Sequence, residues 1–196
     1  GVVASAQSNN ETKSLKLGPN GYEHYKHEFR LTVGANPLEH LEFGWTRAEV
    51  LVNRFGVLFE RLGLEVDAPK CAKTYEINLS QGHWYLPGAE EAVDRLSKKY
   101  RLFLASNGTA TVQKGRMTSA NLYRFFETVF VSQEIGHNKP SKEYFDACFA
   151  RIPGFDPDKA MIVGDSLTSD ILGGIYAGLK TVWINPSHSA PRADIQ

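Results

Sequence analysis

Four residues at the ends of apolar runs carry groups suited to a phosphate ester. Ser106 closes "RLFLAS", Lys139 sits in "GHNKPSKEYF" beyond "TVFVS", and Asp165 and Asp170 stand in "MIVGDSLTSD". A hydroxyl and an ammonium suit phosphate oxygens, one as a neutral donor and one as a countercharge. An exposed carboxylate beside them suits a hard cation such as Mg²⁺, which takes oxygen ligands at near-octahedral geometry. Together they describe a magnesium-assisted phosphate site. Each residue alone also has a structural reading: Ser106 as a helix cap, Lys139 as a solvated surface lysine, and the two acids as caps or ion-pair partners. Order and position along the chain carry the functional reading, because three separate loops supply suitable groups.

The elements that must position these residues alternate. Ala92, Val93 and Leu96 mark a helix, and residues 101–106 then read as a short buried strand bounded by Asn107 and Gly108. Residues 128–132 are the next strand. A helix follows that Ser141 can cap, with Tyr144, Phe145, Cys148, Phe149 and Ile152 on one apolar face. Residues 160–165 form a third strand, about 168–179 a helix, and 180–185 a fourth strand. Strands alternating with helices predict an α/β fold, a Rossmann-like parallel sheet joined by crossovers. The near-continuous apolar character of the strands predicts helices on both faces. In such a sheet the ligand site lies beyond the carboxyl ends of the strands. Ser106, Asn107, Glu134, Lys139, Asp165, Ser166, Thr168 and Asp170 all follow strands and gather there.

Ahead of this alternation, residues 1–20 are rich in Ser, Asn and Gly and predict a tail or irregular arm. Residues 21–80 read as a small helical module. Thr46 and Glu49 form a capping box, Leu51, Phe55, Leu58 and Leu62 make a stripe, and Gly63 supplies a stop. A second helix is expected from near Asp67, with Pro69 in its first turn, toward Leu79. Residues 81–196 then hold the α/β core, entered through "GHWYLPG" at 82–88, where Trp84 and Tyr85 are expected to pack against the hinge.

At 196 residues and 42% hydrophobic, the chain suits one globular domain with a small appendage. Lys plus Arg equals Asp plus Glu at 22 each, which argues against nucleic acid or a membrane surface as a partner. No run approaches the ~18 apolar residues of a spanning helix, and no charged-then-apolar leader opens the sequence. A soluble cytoplasmic protein is expected, with Cys71 and Cys148 as buried free thiols. His24 and His27 read as a surface pair rather than zinc ligands.

"LFLASNG", "NKPSKEYF" and "MIVGDSLTSDILGGIYAGL" resemble the second, third and fourth motifs of the haloacid dehalogenase-like hydrolases, a family made up mostly of phosphatases. The resemblance runs from about Phe43 to Asn185. "GWTRAEVLVNRFGVLFERLGL" and "FARIPGFDPDKAMIVGDSLTSDILGGIYAGL" are similar to its pyrimidine 5'-nucleotidase branch, including members acting on noncanonical nucleotides. The resemblance implies that Ser106 bonds a phosphate oxygen with help from the backbone of Asn107 and Gly108. It implies that Lys139 neutralises the nucleophile and the transferring group, and that Asp165 binds Mg²⁺ with Asp170 close behind. The region before residue 80 would be a cap that closes over a small phosphorylated substrate.

The family's first motif, an apolar strand ending in Asp-x-Asp, supplies a nucleophile and a general acid-base. Here the only Asp-x-Asp is Asp156-Pro157-Asp158, in the turn before the third strand and at its wrong end. The strand bearing that motif lies mid-sheet in the family, so its absence predicts unpaired edges and an uncovered apolar face. The amino-terminal stretch, strand exchange with another copy, or repacking of a truncated or divergent chain would each answer this. Two functions follow. One is a magnesium-dependent phosphomonoester hydrolase whose nucleophile comes from outside this sequence. The other is a catalytically silent relative that binds phosphate, nucleotide or a protein. A phospho-receiver domain is disfavoured, because its acids come first, whereas Ser106 and Lys139 precede Asp165.

Overall fold

The computed structural model describes residues 7–8, 11–12, 46–186, 188–190, 192 and 195. The chain divides into two compact units, Gly1–Leu79 and Ser80–Gln196. His24, His27, most of the amino-terminal arm and residues 21–45 of the expected helical module lie outside the described residues.

In the first unit, a two-residue antiparallel pair joins β1 (Gln7–Ser8) and β2 (Glu11–Thr12). Helix α1 (Arg47–Leu62) opens with the expected capping box, Thr46 and Glu49 each accepting from the other's backbone amide. It closes at Gly63, whose φ of 62° is left-handed and whose amide returns to the last turn. Helix α2 (Ala68–Gln81) starts where Asp67 accepts a hydrogen bond from the Lys70 amide at 2.9 Å. Phe55, Leu58, Phe59 and Ala72 form the buried centre of this unit, with Leu51, Leu62 and Cys71 packed around it. The stripe read at helical spacing is therefore the packing face.

In the second unit, α3 (Ala89–Ser97) leads into β3 (Phe103–Ser106). Helix α4 (Ala110–Ser119) then crosses to β4 (Thr128–Val131), which pairs parallel with β3 from Phe103↔Thr128 to Ser106↔Val131. A single turn, α5 (Ser132–Ile135), and helix α6 (Lys142–Phe149) follow, α6 capped by Ser141. Strand β5 (Met161–Gly164) leads into a π turn at Leu167–Ile171, helix α7 (Leu172–Tyr176) and β6 (Lys180–Trp183). Strands β5 and β6 pair parallel from Met161↔Lys180 to Gly164↔Trp183.

The four strands form two ladders rather than one continuous sheet: among the described residues no hydrogen-bonded pair joins β3–β4 to β5–β6. A shared core spans both ladders. Phe130 of β4 packs with Tyr144, Phe145 and Cys148 of α6, and Phe103 and Ala105 of β3 and Ile162 of β5 lie against the same cluster. On the other side of β5 and β6, alternate apolar residues stay open, with Met161 60%, Val163 53% and Val182 41% exposed. Among the described residues each ladder has only its two strands, with no third strand hydrogen-bonded at either outer edge.

Tyr144 sits at the centre of the shared core with no exposed surface, and its hydroxyl donates to the Phe130 carbonyl at 2.9 Å. Tyr144→Phe should leave that carbonyl short of a donor and lower stability by about 1–2 kcal/mol in urea unfolding. Burial also pushes the Cys148 thiol up to about 11 and drives the Tyr144 phenol well above its ordinary value. The unfolded chain therefore ionises first. These groups leave stability unchanged below the ordinary thiol value of 9.0 and reduce it as pH rises from there toward about 11. Urea midpoints should fall across that window, and fall less steeply for Cys148→Ala.

Candidate active site

The loop after β3 is built by short-range hydrogen bonds. Ser106 Oγ accepts from the Gly108 amide at 3.1 Å, which spends one lone pair and leaves the hydroxyl hydrogen free to donate. Beyond it, Thr109 occupies the N-cap position of α4 without a capping bond. Its Oγ1 is the one buried side-chain oxygen or nitrogen without a hydrogen-bond partner among the described residues. Such an orphan is costly unless water or a ligand answers it. The amide of Ala110, first in the helix, is taken by Gln133 Oε1 at 2.8 Å.

Lys139 comes from the loop between α5 and α6 and is nearly buried at 6% exposure. Its Nζ donates to the Ala105 carbonyl of β3 at 2.7 Å and to Asp170 Oδ1 at 2.6 Å. An ammonium has three N–H groups, so one remains after these two bonds. Asn107 grips the same residue from the other side. Its Nδ2 donates to the Lys139 carbonyl and its Oδ1 accepts from the Lys139 amide, both at 2.8 Å.

The two acids of the third loop have separate fates. Asp170 is buried, with Oδ1 on Lys139 and Oδ2 accepting from the Ser166 amide at 3.2 Å. Its approach depends on Gly164, where an added Cβ would lie 2.3 Å from Asp170 Oδ2. Asp165, directly after β5, is exposed, and its carboxylate makes no hydrogen bond or ion pair among the described residues. Its backbone carbonyl is fixed instead, by Trp183 Nε1 at 3.0 Å. An open carboxylate at a strand end suits one ligand position of a hard cation, since Mg²⁺ commonly takes one or two carboxylates and fills its other positions with water and phosphate. No group of three or more His, Cys, Asp or Glu among the described residues forms a fuller cage.

The structure thus brings Ser106, Asn107, Lys139 and Asp170 together through β3 and its loop, and sets Asp165 at the end of β5. Glu134 instead lines an open cavity of about 880 Å³ along α4 and β4 with Thr111, Lys114, Thr118 and Val129. Trp84 differs from expectation: it is 87% exposed, its ring lying over Gly82. Tyr85, by contrast, does anchor, its hydroxyl donating to the Ala120 carbonyl. Asp156 and Asp158 lie in the turn before β5, on its amino-terminal side, Asp156 accepting from the Asp158 amide and pairing with Lys159. Thr109 and Gln133 are not singled out by strand spacing: a hydroxyl three residues past Ser106, at a helix start, is the signal for Thr109, whereas nothing in sequence ties Gln133 to Ala110.

Parallel strands with a serine, a buried lysine and two aspartates in the loops beyond their carboxyl ends mark a Rossmann-like α/β protein. The chain belongs to the haloacid dehalogenase-like hydrolase family, whose profile matches residues 35–184. It is 40% identical over 141 residues to the HAD-hydrolase YfnB of Bacillus subtilis, a match covering 72% of this chain and 60% of that protein. It is 36% identical over 144 residues to the pyrimidine 5'-nucleotidase PynA of Streptococcus pneumoniae, covering 73% of this chain and 61% of PynA. The chain therefore spans about three fifths of the length of these curated relatives. The crystal structure of YfnB bound to magnesium aligns with a TM-score of 0.80 at 34% identity, over 93% of this chain and 78% of that one. No helix among the described residues is long and apolar enough to cross a membrane.

Removing one partner of a buried ion pair strands the other charge. Asp170→Ala should therefore cost about 3 kcal/mol in urea unfolding, and the double change Lys139→Met with Asp170→Leu should cost clearly less. Equal losses in the two variants would contradict a buried, desolvated pair.

Proposed function

We propose that this chain carries the phosphate-handling part of a magnesium-dependent phosphomonoester hydrolase, with nucleoside 5'-monophosphates of the pyrimidine class as substrates. The observation that carries this reading is Lys139. Its buried ammonium is held between the β3 strand end and Asp170, with one N–H left over, beside a serine whose hydroxyl hydrogen is free. In this reading Ser106 donates to a nonbridging phosphate oxygen, and the Asn107 and Gly108 backbone lies alongside. Lys139 offsets the charge that builds on the transferring group. Such fixed donors aimed at developing charge are what phosphoryl transfer chiefly requires. Asp165 would hold Mg²⁺, which supplies further countercharge to the phosphate oxygens when bound. The 5'-monophosphate class is supported by the likeness to PynA.

A second reading is favoured by one specific observation: among the described residues no Asp-x-Asp stands at the carboxyl end of a strand, and Asp156 and Asp158 lie in the turn before β5. In that reading the chain holds phosphate or a nucleotide without hydrolysing it, and hydrolysis requires a carboxylate nucleophile from outside this sequence or from a partner chain.

Phosphate release from pyrimidine nucleoside 5'-monophosphates, measured with Mg²⁺ and again with EDTA, separates the two. Mg²⁺-dependent turnover that drops at least about 100-fold in Asp165→Ala supports the hydrolase. Saturable nucleotide binding without release supports the silent form. Neither turnover nor binding overturns both.

A further inference from the structure

We infer that Asn107 is a positioning residue for Lys139: its side-chain amide fixes the lysine backbone so that the ammonium keeps one N–H in reserve for an anion held by the Ser106 loop. This rests on the phosphate-site reading above and adds a residue role to it.

The geometry is a two-point clamp. Asn107 Nδ2 and Oδ1 meet the carbonyl and the amide of one residue, each at 2.8 Å, across 32 positions of sequence. Only a carboxamide offers a donor and an acceptor side by side in this way; a carboxylate lacks the donor, and a hydroxyl has a single atom to offer. The clamp matters because a lysine stem is long and flexible, so its charged end is placed only when both ends of the side chain are held. At the far end, Ala105 and Asp170 hold Nζ. At the near end, Asn107 holds the backbone. Ser106 and Asn107 are neighbours, so one loop supplies the hydroxyl that meets the anion and also sets the cation that balances it. A shift of Lys139 away from that loop would break both arrangements together. A shift of about 1 Å in such a group is costly for a charged ligand.

The experiment uses the full chain with Asn107→Ala and the near-isosteric Asn107→Asp. Lys139 acetylation by acetic anhydride is followed by mass spectrometry, and Cys148 alkylation serves as the monitor of the core. The inference expects Lys139 to react at least about tenfold faster in both variants while Cys148 stays as protected as in the parent chain. Lys139 remaining protected overturns it. Lys139 and Cys148 opening together also overturns it, because Asn107 would then be holding the fold rather than the lysine. Inorganic phosphate binding by calorimetry is the second arm. Affinity should fall about tenfold in Asn107→Ala, the scale seen when a supporting partner of a ligating group is lost. A parent chain that binds phosphate and a variant that binds it equally well overturn the inference. A parent chain that binds no phosphate overturns the phosphate-site reading instead, and the acetylation arm still decides whether Asn107 positions Lys139.

Discussion

A charge buried in a protein must be met by partners, and the Lys139 ammonium is the charge on which the second unit depends. With side-chain exposures of 8% and 10%, Lys139 and Asp170 have given up most of their water. Their mutual attraction repays that loss only if the remaining donors and acceptors are also satisfied. The Ala105 carbonyl and the Ser166 amide supply what is needed. The contrast with the surface is instructive. Arg101 and Glu127 make a well-formed pair at 2.8 Å, yet both are about half exposed, so water and salt screen their attraction. The buried pair has larger consequences because water cannot replace a lost partner.

That constraint also explains how two ladders without shared strand hydrogen bonds hold one arrangement. Lys139 reaches β3 through Ala105, and it reaches the turn after β5 through Asp170, which lies against Gly164. Beneath this polar tie, α6 presents one apolar face to residues of both ladders. The polar tie fixes position, and the apolar core supplies most of the driving force, since burial of large side chains such as Tyr144 and Phe145 is the larger favourable term. The outward residues of β5 and β6 gain nothing from this core. Met161, Val163 and Val182 are left exposed at alternating positions, the pattern of a strand face that packs on one side only.

The same arrangement divides labour between the two acids. Asp170 is consumed in holding Lys139, whereas Asp165 keeps its carboxylate open and is anchored by its backbone instead. Two like charges five residues apart would repel if both stayed unpaired in one pocket; pairing one with a lysine removes that conflict. The match to the haloacid dehalogenase-like hydrolases, over residues 35–184, takes in all of these groups.

Local rules accounted for much of this molecule. The capping box at Thr46, the left-handed stop at Gly63 and the Ser141 cap arise from interactions within a few residues, and the four short strands are marked by their apolar runs, so residue order alone announces them. The gathering of Ser106, Lys139 and Asp170 was legible one level higher, because parallel strands must send their following loops to the same edge. What lay beyond reach were contacts whose partners are distant in sequence and chosen by packing. The division of the strands into two ladders, the commitment of Asp170 to Lys139, the Asn107 clamp and the exposure of Trp84 belong to this group. Each depends on which groups water can still reach after the core closes, and desolvation is a property of the assembled three-dimensional surroundings.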